Sequence, residues 1–358
     1  MDATKRFYFL DNLRVALTVL LIAHHVGQTY GPTGGFWPIQ EPTRALILGP
    51  FFTVNRSFFM SLFFLVSGFL MARSYDARAG RGFVRSRLLR LGLPLLVFTL
   101  LMIPVQLFLL RPDGVGSTES AWPIDVSYLW YVEHLLLFSL GYAVWRALPG
   151  RRSAAEPAPS SPPRVVSILL FALGLAAASA TVRIWFPIDR WVFLLGFVRV
   201  AFADLPRDLA FFVIGVLAYR RQWLSTFSTK AGRAWLALSL FLAALCYGYQ
   251  LGISRIAPLS DLAMSVVYPV WEALLCCGLC IGLVVLFRDR FDSQGRLTKE
   301  LGRSQYAAYL FHVPVILGFQ YLVLKAVLPP LAKFALVTLA SVPLTFLVAS
   351  AVRKPLHL

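Results

Sequence analysis

Five polar residues recur at helical spacing near the start of the chain, within the stretch DNLRVALTVLLIAHHVGQTYG (residues 11–31). At 100° per residue, the eleven steps from Arg14 to His25 end about 20° past three full turns, so both side chains lie on one helix face. An imidazole can act as a general base or as a nucleophile at neutral pH. The members of this polar stripe are Asp11, Arg14, Thr18, His25 and Gln28.

The stretch is otherwise apolar and long enough to cross the hydrocarbon of a bilayer. Each charge at the membrane centre costs about 2.5–3.5 kcal/mol, so the aligned polar groups favour a water-filled or substrate-lined path over snorkelling of Arg14 to the head groups. Eleven residues rise about 16 Å, which puts Arg14 near the cytoplasmic edge and His25 beyond the midplane. His24 points about 100° away from His25 and is not expected to share the path.

A second group of candidates lies in GFVRSRLLRLGLP (residues 82–94), where Arg87 and Arg90 stand one helical turn apart and form an RxxR pair. Guanidinium groups bind phosphates through several charge-assisted hydrogen bonds, so the pair is predicted to bind a phosphorylated donor. The alternative is that these charges only anchor a cytoplasmic loop.

Other polar residues inside apolar segments are candidates to orient the base or to stabilise an oxyanion. Glu133 is assigned to catalysis, and the residues given a supporting role are Asp11, His134, Glu272 and His312. Each of them could instead pair with a neighbouring helix. The cysteines lie in apolar segments without polar ligands, so no metal site, disulfide or tightly bound cofactor is expected.

The elements that must position these residues are membrane helices. Of the 358 residues, 58% are hydrophobic and only 14% are charged, which predicts an all-α, polytopic membrane bundle forming a single domain over 1–358. Residues 151–164 form a flexible, Pro- and Ser-rich cytoplasmic loop, and the first span is predicted to stay uncleaved. Ten spans are predicted, at 9–29, 51–72, 90–110, 128–147, 165–182, 205–219, 234–252, 262–287, 305–324 and 334–352.

The net charge of +17 is explained by topology. Ten spans put both termini on one side, and most of the Lys and Arg residues fall in the termini and loops of that side, which is therefore cytoplasmic. Membrane lipids with anionic head groups are expected partners, and nucleic acid is not. The predicted location is the inner (plasma) membrane. Three longer outward segments, 31–50, 111–127 and 183–204, would shape an outer mouth, the last by lying along the interface or re-entering.

Several motifs together resemble the integral-membrane acyltransferase-3 family. They are LDNLRVALTVLLIAHH with Arg14 and His25, the RxxR pair, FFMSLFFLVSGFL and YAAYLFHVPV. The stretches DNLR, WYVEHLLLFSLGY and DLPRDLAFFVIGVLAYRRQWL are most similar to the branch of that family that acts in glucan biosynthesis.

The resemblance implies transfer of an acetyl or succinyl group from cytoplasmic acyl-CoA, as co-substrate, to a hydroxyl of a carbohydrate or related envelope acceptor at the outer face. Arg87 and Arg90 match the motif linked to the CoA phosphates, and Arg14 and His25 match the motif linked to catalysis. The family often adds an outer hydrolase-like domain. None is recognised here, so the membrane unit is expected to act alone or with a partner.

Three questions stay open at the level of sequence. His25 could deprotonate the acceptor directly or form an acyl-histidine intermediate. The stripe could instead serve a transporter or flippase of a lipid-linked sugar, or the protein could be a scaffold for a glycan synthase. A homo-oligomer or a complex with a glycan-synthesis partner also remains open. Dependence on acyl-CoA separates the enzyme from its rivals.

Overall fold

The computed structural model describes residues 6–33, 37–78, 80–109, 127–149 and 160–353. Residues 111–126 of the predicted outward segment and 151–159 of the predicted flexible loop lie outside this part. The helices are α1 (Tyr8–Tyr30), α2 (Leu48–Arg78), α3 (Gly80–Arg87), α4 (Leu93–Leu109), α5 (Trp130–Ala147), α6 (Val165–Trp185), α7 (Leu205–Arg220), α8 (Trp223–Thr226), α9 (Thr229–Gly248), α10 (Ser254–Ile256), α11 (Asp261–Arg290), α12 (Arg296–Leu322) and α13 (Pro330–Val352). Single π-helical turns join α3 to α4 (Leu88–Gly92) and α9 to α10 (Tyr249–Ile253), and a 3₁₀ turn (Ser127–Leu129) precedes α5.

The all-α membrane bundle is confirmed, and every predicted span coincides with a helix. Within the described ranges, six helices are long and apolar enough to cross a bilayer, namely α1, α2, α6, α9 continued through α10, α11 and α13. Two of the others are short, since α4 has 17 residues and α7 has 16. The count of ten spans and the cytoplasmic position of both termini therefore stay predictions.

One element departs from the all-α expectation. The predicted outward segment 183–204 contains a hairpin, in which β1 (Val192–Leu194) pairs antiparallel with β2 (Val198–Val200). Its turn places Leu195 and Gly196 at positive φ, 54° and 79°, as the tight turns of hairpins require. Strands of three residues are too short to give a recognisable alternation of polar and apolar positions, so the sequence pattern did not predict them.

Helix α2 lies at the centre of the bundle and packs very closely on α7. A β-carbon added to Gly68 would lie 2.2 Å from the carbonyl oxygen of Phe212, and one added to Gly215 would lie 2.1 Å from that of Leu65. Small residues let helix backbones approach in this way where lipid gives no hydrophobic drive for association. The glycine of VSGF is therefore a packing residue.

The start of α1 and the end of α2 lie side by side. The Phe7 ring is 5.3 Å from the Phe69 ring, and the Arg73 guanidinium lies 5.2 Å from the Phe7 ring centre. Helix α3 follows α2 after one residue, so the RxxR pair stands at the end of the bundle where α1 begins. The beginning of α1 carries Arg14, whereas His25 is about three turns further along it.

Candidate active site

The two histidines His25 and His312 meet between α1 and α12, and we call them the dyad. His25 Nδ1 and His312 Nε2 are 3.1 Å apart, and the ring centres are 4.9 Å apart. His312 is fully buried, whereas His25 is partly exposed. The contact therefore joins a buried imidazole to one that is accessible at the edge of the helix pair.

The hydrogen bonds of the dyad define which nitrogens carry protons. His312 Nδ1 lies 2.5 Å from the carbonyl oxygen of Tyr309, which can only accept, so this nitrogen donates. In a neutral imidazole the other nitrogen is then an acceptor, and His312 Nε2 accepts the Nδ1–H of His25. The remaining nitrogen of His25, Nε2, keeps its lone pair. The arrangement thus presents one oriented basic nitrogen.

The 3₁₀ turn before α5 fixes the carbonyl group on which this tautomer depends. The Tyr309 hydroxyl donates to the carbonyl oxygen of Tyr128 at 2.5 Å, and the Tyr128 hydroxyl donates to that of Leu310 at 2.9 Å. The ring of Tyr128 also packs edge-on against His312, with ring centres 5.3 Å apart. These reciprocal bonds hold the backbone of α12 next to the dyad.

Arg14 is bound at the other end of the same helix pair. Its Nε donates to Gln305 Oε1 at 3.1 Å, and a second guanidinium nitrogen contacts the same oxygen. Gln305 Nε2 donates in turn to the buried Thr18 hydroxyl at 3.1 Å. Asp11 accepts from Arg6 at 2.7 Å and lies 3.6 Å from Arg14. The predicted stripe therefore finds its partners on α12, from Arg14 to His25.

Beyond the dyad, Trp37 closes the side of the site where α1 ends. Its ring centre is 5.3 Å from that of His25, and its Nε1 donates to Gln320 Oε1 at 2.8 Å. The Gln320 amide also donates to the Val26 carbonyl oxygen at 3.2 Å. An aromatic wall is thus held beside the partly exposed imidazole.

His24 occupies a different environment from its neighbour His25. Its ring packs among the phenylalanines of α2, with centres 5.1 Å from both Phe52 and Phe59. Gln28 Nε2 donates to His24 Nε2 at 3.1 Å, so Gln28, which was predicted to share the face of His25, pairs with His24 instead. The two adjacent histidines face different helices, as the 100° rotation predicts.

The guanidinium groups of the RxxR pair make few contacts that would neutralise or fix them. The Arg87 guanidinium lies 4.9 Å from the Phe83 ring centre, and its Nε has no hydrogen-bond partner within the described part of the chain. Burial and the neighbouring charges of Arg90 and Arg78 lower the pKa of Arg87 to about 10. Arg90 is exposed in a π-helical turn, a feature frequent at functional sites. A cluster of like charges that pairs with no carboxylate among the described residues suits an anionic ligand.

Glu133 and His134 hold the hairpin. Glu133 Oε2 accepts from the backbone N–H of Arg199 at 3.1 Å, and His134 Nε2 lies 3.1 Å from the carbonyl oxygen of the same residue. Both side chains are buried in the first turn of α5. These contacts give both residues a structural role, and the catalytic role assigned to Glu133 stays a prediction.

Glu272 belongs to a buried ion-pair network between α2, α6, α7 and α11. Its two carboxylate oxygens lie 2.6 Å from Arg207 and 2.7 Å from Arg183. Asp204 connects Arg207, at 3.1 Å, to Arg56, at 2.9 Å. The members of the network are Arg56, Arg183, Arg207, Asp189, Asp204, Asp208 and Glu272. Glu272 is thus engaged by two arginines, whereas its supporting role for the base stays a prediction.

Sequence reasoning found His312 but missed the face on which it lies. Gln305, Tyr309 and Gln320 fall on the same side of α12 as His312, within about 80° of one another. This spacing was a usable signal, because polar residues on one face of an apolar helix point to a partner helix. The acidic partners of the network were missed too, although Asp204, Arg207 and Asp208 crowd into the sequence DLPRD.

The fold and the dyad define a membrane-embedded protein that holds an oriented base about three helical turns from the end of the bundle that carries the RxxR pair. The acyltransferase domain of the acyltransferase-3 family matches residues 7–350, and the chain belongs to this family. The protein is thus a multi-pass membrane acyltransferase, which confirms the resemblance seen in its motifs. No solved structure matches the chain.

Curated relatives lie in the glucan branch. The chain is 26% identical over 231 residues to Glucans biosynthesis protein C of Salmonella gallinarum, an alignment that covers 60% of this chain and 58% of that protein. It is 26% identical over 230 residues to the protein of the same name from Salmonella paratyphi A, with the same coverage. The match therefore spans less than two thirds of the length of these relatives.

Proposed function

We propose that the protein is an O-acyltransferase of the bacterial inner membrane, which moves an acetyl or succinyl group from cytoplasmic acyl-CoA to a glucan or related carbohydrate at the outer face. The observation that carries the proposal is the dyad, because its hydrogen bonds leave a lone pair on His25 Nε2. The names of the curated relatives support a glucan as acceptor.

The proposed reaction is one base-assisted transfer. His25 Nε2 removes the proton of an acceptor hydroxyl while that oxygen attacks the thioester carbonyl carbon. The tetrahedral intermediate then collapses, the carbon–sulfur bond breaks, and the CoA thiolate takes the proton from the His25 imidazolium. His312 stabilises the positive charge by accepting the Nδ1–H of His25 throughout. Product ester and free CoA thiol account for all atoms.

The donor route follows the order of residues along α1. Arg87 and Arg90 would hold the phosphates of CoA at the cytoplasmic end, where the buried Arg87 Nε has no hydrogen-bond partner among the described residues. The thin, mostly neutral pantetheine arm would pass Arg14 and bring the thioester to His25, about 16 Å further along the helix. The nucleotide, a polyanion, stays outside the hydrocarbon.

The acceptor would reach His25 from the outer side. The ring centre of the buried Trp37 stands 5.3 Å from that of the imidazole, so Trp37 bounds the space in which an acceptor hydroxyl would meet Nε2. Partial exposure of His25 is consistent with access of a hydroxyl group to Nε2. The membrane unit would act alone or with a glycan-synthesis partner, and self-association is a further expectation.

An acyl-histidine intermediate would use the same nitrogen, because the lone pair on His25 Nε2 can attack the thioester directly. Acid quenching of a pre-steady-state mixture followed by mass spectrometry distinguishes the two routes. A peptide containing His25 that carries the acyl mass within the first turnover supports the two-step route, and its absence during linear turnover supports direct transfer.

The proposed function is tested in inside-out membrane vesicles that contain the protein and an internal glucan. Addition of labelled acetyl- or succinyl-CoA outside the vesicles should yield glucan that carries a base-labile acyl ester. Vesicles with inactive His25→Ala protein are the control. Movement of lipid-linked sugar across the membrane without ester formation and without any need for acyl-CoA would instead identify a transporter.

A further inference from the structure

A groove apart from the dyad lies between α6, α7, α8 and α11, at the end of the bundle where α7 ends. Its volume is about 380 Å³, within the range of sites that bury a small ligand. Neither the dyad nor the RxxR pair lines it. Its walls are mainly apolar and include Ile168, Phe171, Phe211, Ile214, Ala218 and Val284. An occupant must therefore offer an apolar segment.

The rim of the groove carries an arginine that has no acidic partner among the described residues. Arg221 is exposed, lies 5.6 Å from the centre of the Trp223 ring, and forms no ion pair with any described residue. Its neighbour Arg220 differs, since two of its nitrogens lie 2.7 Å from the carboxylate of Asp76. Within the described part of the chain, no carboxylate therefore compensates the positive charge of Arg221 at the rim.

The chain before α6 completes the rim. Ser161 and Pro163 line the groove, and the exposed Arg164 follows directly. The backbone N–H of Ser160 donates to the Arg221 carbonyl oxygen at 3.2 Å, so this stretch lies against Arg221. The Trp223 Nε1 donates to the Ser160 hydroxyl at 3.3 Å. Two exposed arginines thus flank one apolar opening.

One wall of the groove belongs to a helix that is long and apolar enough to span a membrane. Helix α6 is apolar and long enough to span a bilayer, and its Val166 and Leu170 are 65% and 64% exposed. These side chains stand on the helix that supplies Ile168 and Phe171 to the groove. Val166 and Leu170 lie on the opposite face of α6 from Ile168, so one face of this helix can meet lipid while the other lines the groove.

We propose that this groove is a binding site for an anionic glycerophospholipid, with one acyl chain among the apolar walls and the phosphate at Arg221 and Arg164. The apolar lining accounts for the acyl chain, and the two exposed arginines at the rim account for the negative head group. Basic residues at a membrane surface attract anionic lipids in this way. The ligand joins α6, α7 and α11, which also carry Arg183, Arg207 and Glu272 of the ion-pair network.

The test uses the full chain in nanodiscs of phosphatidylcholine that contain phosphatidylglycerol brominated on its acyl chains. Bromine quenches tryptophan at short range, and Trp223 lines the groove. The wild type should show saturable quenching at a low fraction of brominated phosphatidylglycerol, and Trp223→Phe should remove that component. Brominated phosphatidylcholine, at the same fraction, should not produce it.

Separate variants test the contribution of the rim charge and that of the space for the acyl chain. Arg221→Gln should raise the fraction of phosphatidylglycerol needed for half-saturation about fivefold, whereas Arg233→Gln, an exposed arginine of α9 outside the groove, should leave it unchanged. Ser167→Phe should fill the groove and abolish the saturable component without altering any charge.

Three results would overturn the proposal. They are equal quenching by both brominated lipids, wild-type half-saturation in Arg221→Gln, or saturable quenching that survives in Trp223→Phe. Glycerol 3-phosphate added in excess should not compete, because it lacks an acyl chain. Competition by it would mean that the rim binds a free phosphate rather than a lipid. Each variant is first shown to be monodisperse and to unfold at the wild-type temperature.

Discussion

Two regions of the bundle bury polar groups, and they do so in opposite ways. In the ion-pair network three arginines meet four carboxylates. Arg207, for example, contacts both Asp204, at 3.1 Å, and Glu272, at 2.6 Å. Between α1 and α12, by contrast, one hydrogen bond of 3.1 Å links the two imidazoles of the dyad, and His312 donates to the carbonyl oxygen of Tyr309 at 2.5 Å. One region cancels charge, and the other orients a proton acceptor.

The difference teaches how to recognise chemistry inside a membrane bundle. A buried charge that meets opposite charges on other helices fixes how these helices pack, and removal of one partner leaves the rest uncompensated. A chain of hydrogen bonds that runs from a backbone carbonyl through one imidazole to another ends on a nitrogen with nothing left to donate. The ion-pair network is therefore expected to govern the stability of the fold. The dyad is expected to govern the rate of turnover.

The largest effect is expected from His25→Ala, which removes the base of the dyad and leaves the ion-pair network intact. Loss of a positioned base should lower acyl transfer by about a hundredfold to ten-thousandfold, with normal expression and unfolding temperature. His24→Ala is the matched control, because His24 packs against Phe52 and Phe59 of α2, and it should be milder. The measurement is ester formation per milligram of folded protein. Retention of a tenth of wild-type activity in His25→Ala would remove His25 from catalysis.

The role of the ion-pair network in stability is tested by Glu272→Gln, which removes one of its carboxylates. Because Arg207 and Arg183 would lose their shared carboxylate, we expect a loss of about 3–5 kcal/mol in the free energy of unfolding. Activity per folded molecule should stay near that of the wild type. Glu300→Gln is the control, because its ion pair with Arg353 at 2.6 Å is 40% exposed on the carboxylate side and worth at most about 1 kcal/mol. A selective loss of turnover in Glu272→Gln, with normal unfolding, would move Glu272 into the catalytic site.

The sequence alone predicted the helical bundle, the polar face of α1 and His312 as a candidate, but not which residues of α12 meet that face. The phase of Arg14 and His25 follows from the geometry of a single helix, and the helix period needs no tertiary information. Which helix supplies Gln305 or His312 depends on packing across almost 300 residues of chain, for which a single sequence gives no restraint. The three-residue strands of the hairpin are fixed by contacts with Glu133 and His134, not by their own pattern.

The RxxR pair is a third group of polar residues to compare with the ion-pair network and the dyad. Replacing both Arg87 and Arg90 by alanine should raise the KM for acyl-CoA about tenfold for each guanidinium lost, with little change in the KM for the acceptor. Higher ionic strength should weaken donor use as well. CoA binding to purified, folded protein is the measurement. Unchanged affinity in the double alanine variant would reject the phosphate site in favour of simple anchoring of the loop.

The pKa of Arg87 sharpens the same test. Burial and the charges of Arg90 and Arg78 lower the pKa of Arg87 to about 10, so the cation is present at pH 7 and is lost as the pH rises through about 10. CoA affinity of the wild type should therefore hold to about pH 9 and fall above it. Lysine starts from a reference pKa of about 10.4, so Arg87→Lys should lose affinity at a lower pH in the same surroundings. Coincident pH profiles would mean that Arg87 does not bind the donor.

The smallest expected effect tests the direction of the dyad itself, through His312→Gln and His312→Leu. Glutamine can accept the Nδ1–H of His25 with its amide oxygen and so can preserve the lone pair on His25 Nε2, whereas leucine cannot. Loss of one hydrogen bond is worth about 0.5–1.5 kcal/mol, so the leucine variant should lose about twofold to tenfold in kcat, and glutamine should restore part of it. The KM for acyl-CoA should stay constant in both, since His312 is fully buried and acts through His25. Equal kcat in the two variants would show that the tautomer is not set by His312, and a parallel rise in KM would point to packing rather than orientation of the base.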